Sequence, residues 1–357
     1  MDPHDVTARE ASRTAAGARP GRPTLEMVAA AAGVSRGTAG RALSGGRNVS
    51  ARAMTAVLEA AEALGYRPDL SARSLARGRS GMVGLIVSES NERLFNDPFF
   101  PDVVRGAHRV LARRGRQLVL SLSQTPQERA QTVRLAVDRH LDGVLLISVR
   151  GDDPLHEVLL EAQVPVVFCG RVSAERTARG LWWVDADNDD GARQAVGHLA
   201  GTGRRRIATV TGPEDLGAGR DRLAGWHAAV VHAGLTPSSD LVRPGDFSFE
   251  AGHAAVHRLL GAVPDVDAVF AASDLMALGA LRALRELGRR VPDDVALVGF
   301  DDVPAAARAD PPLTTVRQPV EAMGCRMAEM LLDRLDGVPD AAPSAVLTTQ
   351  LVVRSSS

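Results

Sequence analysis

The 357-residue chain contains no lysine, so all 42 basic side chains are arginine, set against 43 acids. Isoleucine occurs three times, asparagine four times and tyrosine once, and aromatics make up 3% of residues. GC-rich codon supply accounts for this bias, so each arginine is judged by its neighbours rather than by the total. The two cysteines, Cys169 and Cys325, are far apart; that excludes a disulfide framework and any cysteine metal spacing, and makes a reducing cytoplasm the default location. No run of 18 apolar residues exists, which excludes a membrane-spanning helix. Residues 1–20 lack the apolar centre of a secretory signal and read as a disordered tail. No Gly-x-Ser-x-Gly elbow is present. His253 and His257 are spaced four apart without the glutamate of a zinc-protease helix, and read as a solvated helix face. Asp301-Asp302 are adjacent and so poorly placed to face one glycosidic bond together. Catalysis is therefore not expected, and no cofactor is implied.

What is present is unevenly spread. Residues 1–80 hold 12 arginines against 7 acids, a net +5; the remainder holds 30 against 36, a net −6. A basic end on a mildly acidic body fits either nucleic-acid binding or a solvated tail. Within that end, Thr24 precedes a helical face of Leu25, Val28, Ala29 and Ala32, and Gly33-Val34 breaks it. Ser35 caps a second helix from Arg36 to Leu43, with Thr38, Ala42 and Leu43 expected inward. Ser50 caps a third helix through Val57, Ala61 and Leu64 that stops at Gly65. Two short helices about a glycine turn, plus a third, make a helix-turn-helix unit. The second helix of such a unit reads bases from its N-terminal end. Arg36 is suited to bidentate bonding to guanine, while Gly37 contributes only absence of bulk. Ser35, Thr38, Arg41, Arg47 and Arg52 are candidate phosphate or backbone partners. A small helical cap with a solvated basic face is the bland alternative.

The pattern Thr24-Leu25-x-x-Val28-Ala29-x-x-Ala32-Gly33-Val34-Ser35-x-x-Thr38-x-x-Arg41-x-Leu43-Ser44 resembles the LacI/GalR family of bacterial transcription regulators. The family often has Asp at Met27, Val at Ala39 and Ser at Gly40; Gly40 costs about 1 kcal/mol of helix propensity and removes a hydroxyl that would meet phosphate. The DNA contacts implied in this unit are Thr24, Ser35, Arg36, Gly37, Thr38, Arg41 and Asn48. The segment Leu70-Ser71-Ala72-Arg73-Ser74-Leu75-Ala76-Arg77-Gly78-Arg79 is too short for a stable isolated helix and on its own reads as a linker. The resemblance implies a hinge helix that forms on operator DNA. In it Leu75 wedges into the minor groove, Ala72 and Ala76 touch the partner hinge, and Arg73 and Arg77 contact DNA.

From Met82 the periodicity changes. Short apolar strands (Val83–Val87, Gln117–Ser121, Gly143–Ile147, Val166–Cys169) alternate with helices (Pro101–Arg114, Gln127–His140, Pro154–Gln163). A second set begins near Val184 and includes Arg206–Val210, Arg220–His232, Glu250–Leu260, Ala268–Ala271, Asp274–Leu287 and Val295–Gly299. Alternating β and α predicts parallel sheets flanked by helices. The expectation is two α/β lobes in tandem, with ligand beyond the carboxyl ends of the strands. The body also resembles the family, whose regulatory part is like periplasmic sugar-binding proteins. The matching stretches include Asp97-Pro98-Phe99-Phe100, Gly212-Pro213, Arg222-Leu223-Ala224-Gly225-Trp226, Asp274–Ala280, Val298–Asp302 and Pro312–Gln318. Arg222 and Asp301 are placed to bond an effector's hydroxyls, or else to form an ion pair between lobes. Phe247 matches an aromatic that packs on the effector, or is plain core. Phe99, Phe100 and Ser273 match further cleft positions. Gly170 stands near the strand end where many sugar-responsive members carry an acid, so a non-sugar ligand or a purine-type corepressor stays open.

The fold expected is an all-α helix-turn-helix domain followed by a two-lobed, periplasmic-binding-protein-like α/β domain. The divisions are 1–20 (tail), 21–66 (DNA-binding unit), 67–80 (hinge) and 81–354 (effector binding and dimerisation). Three serines after Arg354 leave no length for a C-terminal heptad. The function expected is a cytoplasmic homodimeric regulator, most simply a repressor, of palindromic operator DNA, with a small-molecule effector, a sugar first, and no membrane partner. The competing reading is the solute-binding protein of a transporter.

Overall fold

The computed structural model describes residues 23–43, 48–66, 79–148, 155–173, 175 and 181–357. They separate into two units, divided in the chain between Ser80 and Gly81.

The first unit contains α1 (Leu25–Ala31), α2 (Arg36–Leu43) and α3 (Ala51–Ala63). Its core is six buried side chains of modest size: Val28, Ala29, Ala39, Ala42, Val57 and Ala61. Ala39, rather than the expected Thr38, is the inward residue of α2's middle; the Thr38 hydroxyl is held instead at the rim by Ser35 and Arg41. The turn after α1 is a Schellman motif, in which Gly33 N donates to Ala30 O and Val34 N to Ala29 O. Gly33 takes φ +65, which a side chain resists, so this turn needs its glycine.

The second unit has two six-stranded sheets. The first runs β11-β5-β4-β3-β1-β2, with β1 Met82–Val87, β2 Gln117–Leu122, β3 Gly143–Ile147, β4 Val166–Cys169, β5 Trp182–Ala186 and β11 Ser344–Leu347. The second runs β12-β10-β9-β8-β6-β7, with β6 Ile207–Thr211, β7 Val242–Pro244, β8 Ala268–Ala271, β9 Ala296–Asp301, β10 Thr314–Arg317 and β12 Gln350–Val352. Among the described residues, the β10–β12 pair alone is antiparallel. The helices are α4 Asn91–Asn96, α5 Phe99–Arg113, α6 Pro126–Val137, α7 Leu155–Glu161, α8 Asn188–Gly201, α9 Gly217–His232, α10 Phe249–Ala262, α11 Asp274–Glu286, α12 Pro304–Ala307 and α13 Val320–Asp336. Strand alternation sorts the first core into two faces. Val83, Leu85, Val87, Leu145 and Ile147 pack with α5 and α13. Ile86, Val144 and Leu146 pack under α6 and α7.

The lobes are not in tandem, which corrects the expectation. β5, where a second set was placed, pairs with β4 (Phe168 with Trp183) and completes the first sheet. After β10 the chain returns, and α13 covers the first sheet with Met323, Met327, Met330 and Leu331. It crosses once more between β11 and β12. Three crossings therefore join the lobes, and the first and third are tied side by side: Asp187 N donates to Leu347 O, and Thr349 Oγ1 donates to Asp187 O. The body also runs past Arg354. Ser356 is fully buried, its hydroxyl accepting from Thr314 N and donating to Leu297 O.

Helices α5 and α13 meet backbone to backbone. A Cβ at Gly106 would lie 2.0 Å from the Glu321 carbonyl oxygen, and one at Gly324 would lie 2.3 Å from that of Val103. Gly106→Ala should therefore lower stability by about 1–3 kcal/mol through overpacking, read as an earlier denaturant midpoint. An unchanged midpoint would mean that the helix pair yields freely.

Candidate functional site

The first unit presents one polar patch at the start of α2. The Ser35 hydroxyl accepts from Thr38 N at 3.2 Å and shares a 2.9 Å bond with the Thr38 hydroxyl, to which Arg41 Nη2 donates at 3.3 Å. Arg36 Nε lies 2.9 Å from a Glu26 carboxylate oxygen, with side chains 72% and 57% exposed. A pair this open contributes under about 1 kcal/mol, so Arg36 is readily released to another acceptor. Gly37 is exposed beside Arg41. Thr24 caps α1 by accepting from Met27 N, and Asn48, at φ +74, leads into α3. Ala72, Arg73, Leu75 and Arg77 of the expected hinge, and Arg47, lie outside the described residues.

The second unit holds a cavity of about 650 Å³ lined from both lobes. The strands stop there, as parallel sheets require of a ligand crevice. Arg222, on α9, is 4% exposed. Its Nε donates to Asn188 Oδ1 at 2.9 Å, its Nη1 donates to the Ala272 carbonyl at 2.6 Å, and Nη1 reaches Asp301 Oδ1 at 3.5 Å. Asp301 ends β9 at φ +118 and accepts from Gln318 Nε2 at 2.6 Å. On the other side, Asn188 Nδ2 donates to Asp185 Oδ1 at 3.0 Å, and Arg171 N donates to Asp185 Oδ2 at 2.8 Å. A continuous chain, Asp185–Asn188–Arg222–Asp301–Gln318, thus runs along the cavity wall. Arg222 and Asp301 belong to the same lobe, so their contact is not an interlobe ion pair.

Burial dominates the titration here. It pushes the Asp301 carboxyl up to about 7, with Arg222 opposing and Asp97 adding to the rise. It lifts Asp185 to about 6. Asp97 is also raised by burial, against a hydrogen bond from Phe99 N. Asp274, which holds Thr315 and the Val303 amide, is raised by the same cause.

Phe247 lines the cavity at φ +71, its carbonyl accepting from the Ser273 hydroxyl. Its ring lies over Gly212, where a Cβ would come within 2.1 Å, so a side chain at that position would displace the ring. Guanidinium groups flank the ring, Arg93 at 5.1 Å and Arg222 at 5.6 Å. Ser273 also caps α11 and lines the cavity, as does Phe99. Phe100 does not. It is 1% exposed and sits in the first lobe's core, edge-on to Phe99 at 5.4 Å, because successive helical residues point about 100° apart. Sequence reasoning missed Arg93, Asp97, Asp185, Asn188 and Gln318. Asp185 had a legible signal, an acid closing an apolar strand; Arg93 sits in a short helix that carries no motif. Asp185 also answers the missing acid at Gly170. The neighbouring strand supplies a carboxylate, and Gly170 lines the same cavity at φ +102.

A helix-turn-helix unit joined to a two-lobed body with a polar interlobe cavity defines a ligand-controlled DNA-binding protein. Residues 24–69 match the model of bacterial regulatory proteins of the lacI family, and residues 196–357 match that of a periplasmic binding protein-like domain. The chain is 48% identical over 338 residues to the HTH-type transcriptional regulator CelR of Thermobifida fusca, spanning 94% of this chain and 98% of the relative. It is 36% identical to the HTH-type transcriptional regulator MalR of Streptomyces coelicolor, over 93% and 96% of the two chains. Among solved structures, a CelR–cellobiose complex aligns with TM-score 0.75 at 47% identity, covering 94% of this chain and 100% of that one. The lac repressor dimer bound to operator and the anti-inducer ONPF aligns at 0.82 with 28% identity, covering 94% and 99%. The chain belongs to the LacI family of bacterial regulatory proteins and is a DNA-binding transcription regulator controlled by a small-molecule effector. No helix among the described residues is long and apolar enough to cross a membrane.

Proposed function

We propose that the protein is a cytoplasmic homodimeric repressor whose effector is a β-linked glucose disaccharide of the cellobiose type. The observation that carries this is the hydrogen-bonded chain from Asp185 to Gln318 along the cavity wall. It alternates carboxylate acceptors with amide and guanidinium donors, the complement of vicinal hydroxyls that both donate and accept. Phe99 and Phe247 add apolar surface for sugar ring faces. The relative solved with cellobiose points to the same ligand. The cleft binds without turnover: Asp301 is engaged by Gln318 and Arg222, and Asp185 by Asn188 and a backbone amide.

On DNA, two copies place two α2 helices in successive major grooves of a palindrome, Arg36 reads guanine, and Ser35, Thr38 and Arg41 hold phosphates. The domains act as 21–66 for DNA, 67–80 as hinge and 81–354 as sensor and dimer contact. Effector favours a lobe arrangement in which the hinge helices do not form, so it must bind that state more tightly than the DNA-bound one.

Two measurements test this. In a selection from random DNA followed by mobility shift, wild type should show a sequence-specific palindrome, and Arg36→Ala should lose about 5- to 150-fold in discrimination at one guanine. Failure to shift any selected sequence at moderate salt would favour a solute-binding role. The second is pH dependence of cellobiose affinity. Hydroxyls donating to Asp301 favour its carboxylate, so bound protein holds fewer protons than free protein. Free Asp301 is protonated below about 7 and Asp185 below about 6. Affinity should therefore rise from pH 5 to 7 and level off above, by up to tenfold per pH unit for each proton released. A flat calorimetric profile would contradict direct bonding to Asp301.

A further inference from the structure

On the outer face of the second lobe, away from the cleft, three side chains converge. His253 and His257 sit one turn apart on α10, and Glu286 ends α11. His253 Nε2 donates to Glu286 Oε2 at 2.7 Å, and His257 Nε2 donates to that same oxygen at 3.1 Å. A carboxylate only accepts, so in the metal-free protein both Nε2 atoms bear protons aimed at one point; a cation bound there takes the Nε2 lone pairs, and each ring carries its proton on Nδ1 instead. The ligating atoms all lie within 4.8 Å of one another. We propose that His253, His257 and Glu286 form a site for a divalent zinc-class cation, independent of the effector cleft.

Two imidazole nitrogens at i and i+4 on one helix face, joined by a carboxylate oxygen, are a donor set that suits zinc and leaves one tetrahedral position for water. Tetrahedral ligands about 2.0–2.1 Å from a metal stand about 3.3 Å apart. To admit the ion, the His253–Glu286 contact opens from 2.7 Å by about 0.6 Å and the His257–Glu286 contact from 3.1 Å by about 0.2 Å. The support beneath is rigid. At Gly252 a Cβ would come within 2.1 Å of Met276 O, and at Gly279 within 2.0 Å of Phe249 O, so α10 and α11 touch through their backbones. Arg282 Nε donates to the other oxygen, Glu286 Oε1, at 2.9 Å and orients the carboxylate while leaving Oε2 for metal. At 30%, 36% and 42% side-chain exposure, the three groups are open to ion exchange. Binding closes the α10–α11 pair with a second, non-covalent tie.

The test is calorimetric titration of the full-length, untagged protein with Zn2+, with and without EDTA, alongside thermal melts. The expected result is one saturable site per chain, with a melting rise on the order of 5 °C that EDTA reverses. His253→Ala and His257→Ala should each weaken binding more than tenfold, and Glu286→Gln should do the same. All three should keep the metal-free melting temperature near wild type and leave cellobiose binding unaltered. No saturable binding, or binding that survives in the His253→Ala/His257→Ala double variant, would overturn the site and leave an ordinary hydrogen-bonded cluster. Full affinity in Glu286→Gln would likewise overturn the three-donor assignment.

Discussion

Asp301→Asn should leave operator binding intact while cutting effector affinity about 10- to 150-fold, the range for one to two charge-assisted hydrogen bonds. The amide matches the carboxylate in shape and still accepts from Gln318. The fold tolerates the loss of charge because burial already holds the carboxyl near neutrality, at about 7. A sugar hydroxyl, by contrast, loses an anionic acceptor and faces a donor NH2 in its place. The same variant should abolish the rise of affinity with pH between about 6 and 7. Arg222→Ala is a poorer probe, since it leaves Asp301 and Asp185 buried without their shared cation and costs stability as well as affinity. Mobility shift with and without cellobiose reads the outcome; a wild-type effector response in Asp301→Asn would remove this residue from the site.

Leu75→Ala should weaken binding to the cognate palindrome about 10- to 150-fold, the transfer value of a leucine side chain lost from an apolar contact. Binding to random DNA at matched salt should change little, because that term comes from phosphate neutralisation. Leu75 lies outside the described residues, and the expectation rests on the chain's membership of its family. Equal weakening on both DNAs would contradict the wedge and mark the residue as a general determinant of hinge order.

Much of this architecture was legible because its signals are local. Thr24, Gly33, Ser35 and Ser50 each punctuate a helix by capping or by positive φ, and the three helices of the first unit followed from them. Alternating apolar strands likewise announced parallel sheets. The threefold crossing was not legible. β5 and α13 look like continuations of their neighbours, and only long-range pairing, such as Phe168 with Trp183, assigns them to the first lobe. In the cleft, Arg222, Phe247 and Asp301 lie in stretches that resemble a family. Asp185, Asn188 and Gln318 become site residues only when the crossings bring their segments together. Phe100 illustrates the converse. It shares a motif with Phe99, yet one helical step turns it from cavity to core.

The central claim is that occupancy of the Asp185–Gln318 cleft is coupled to operator release. It is tested most directly by fluorescence anisotropy of a labelled selected operator across a cellobiose titration, with maltose as control. The expected result is a 5- to 150-fold loss of operator affinity with cellobiose, the range for a coupling of about 1–3 kcal/mol, no response to maltose, and an equal operator-induced loss of cellobiose affinity. Operator affinity that stays constant while calorimetry registers cellobiose in the cleft, or that rises on binding, would contradict it.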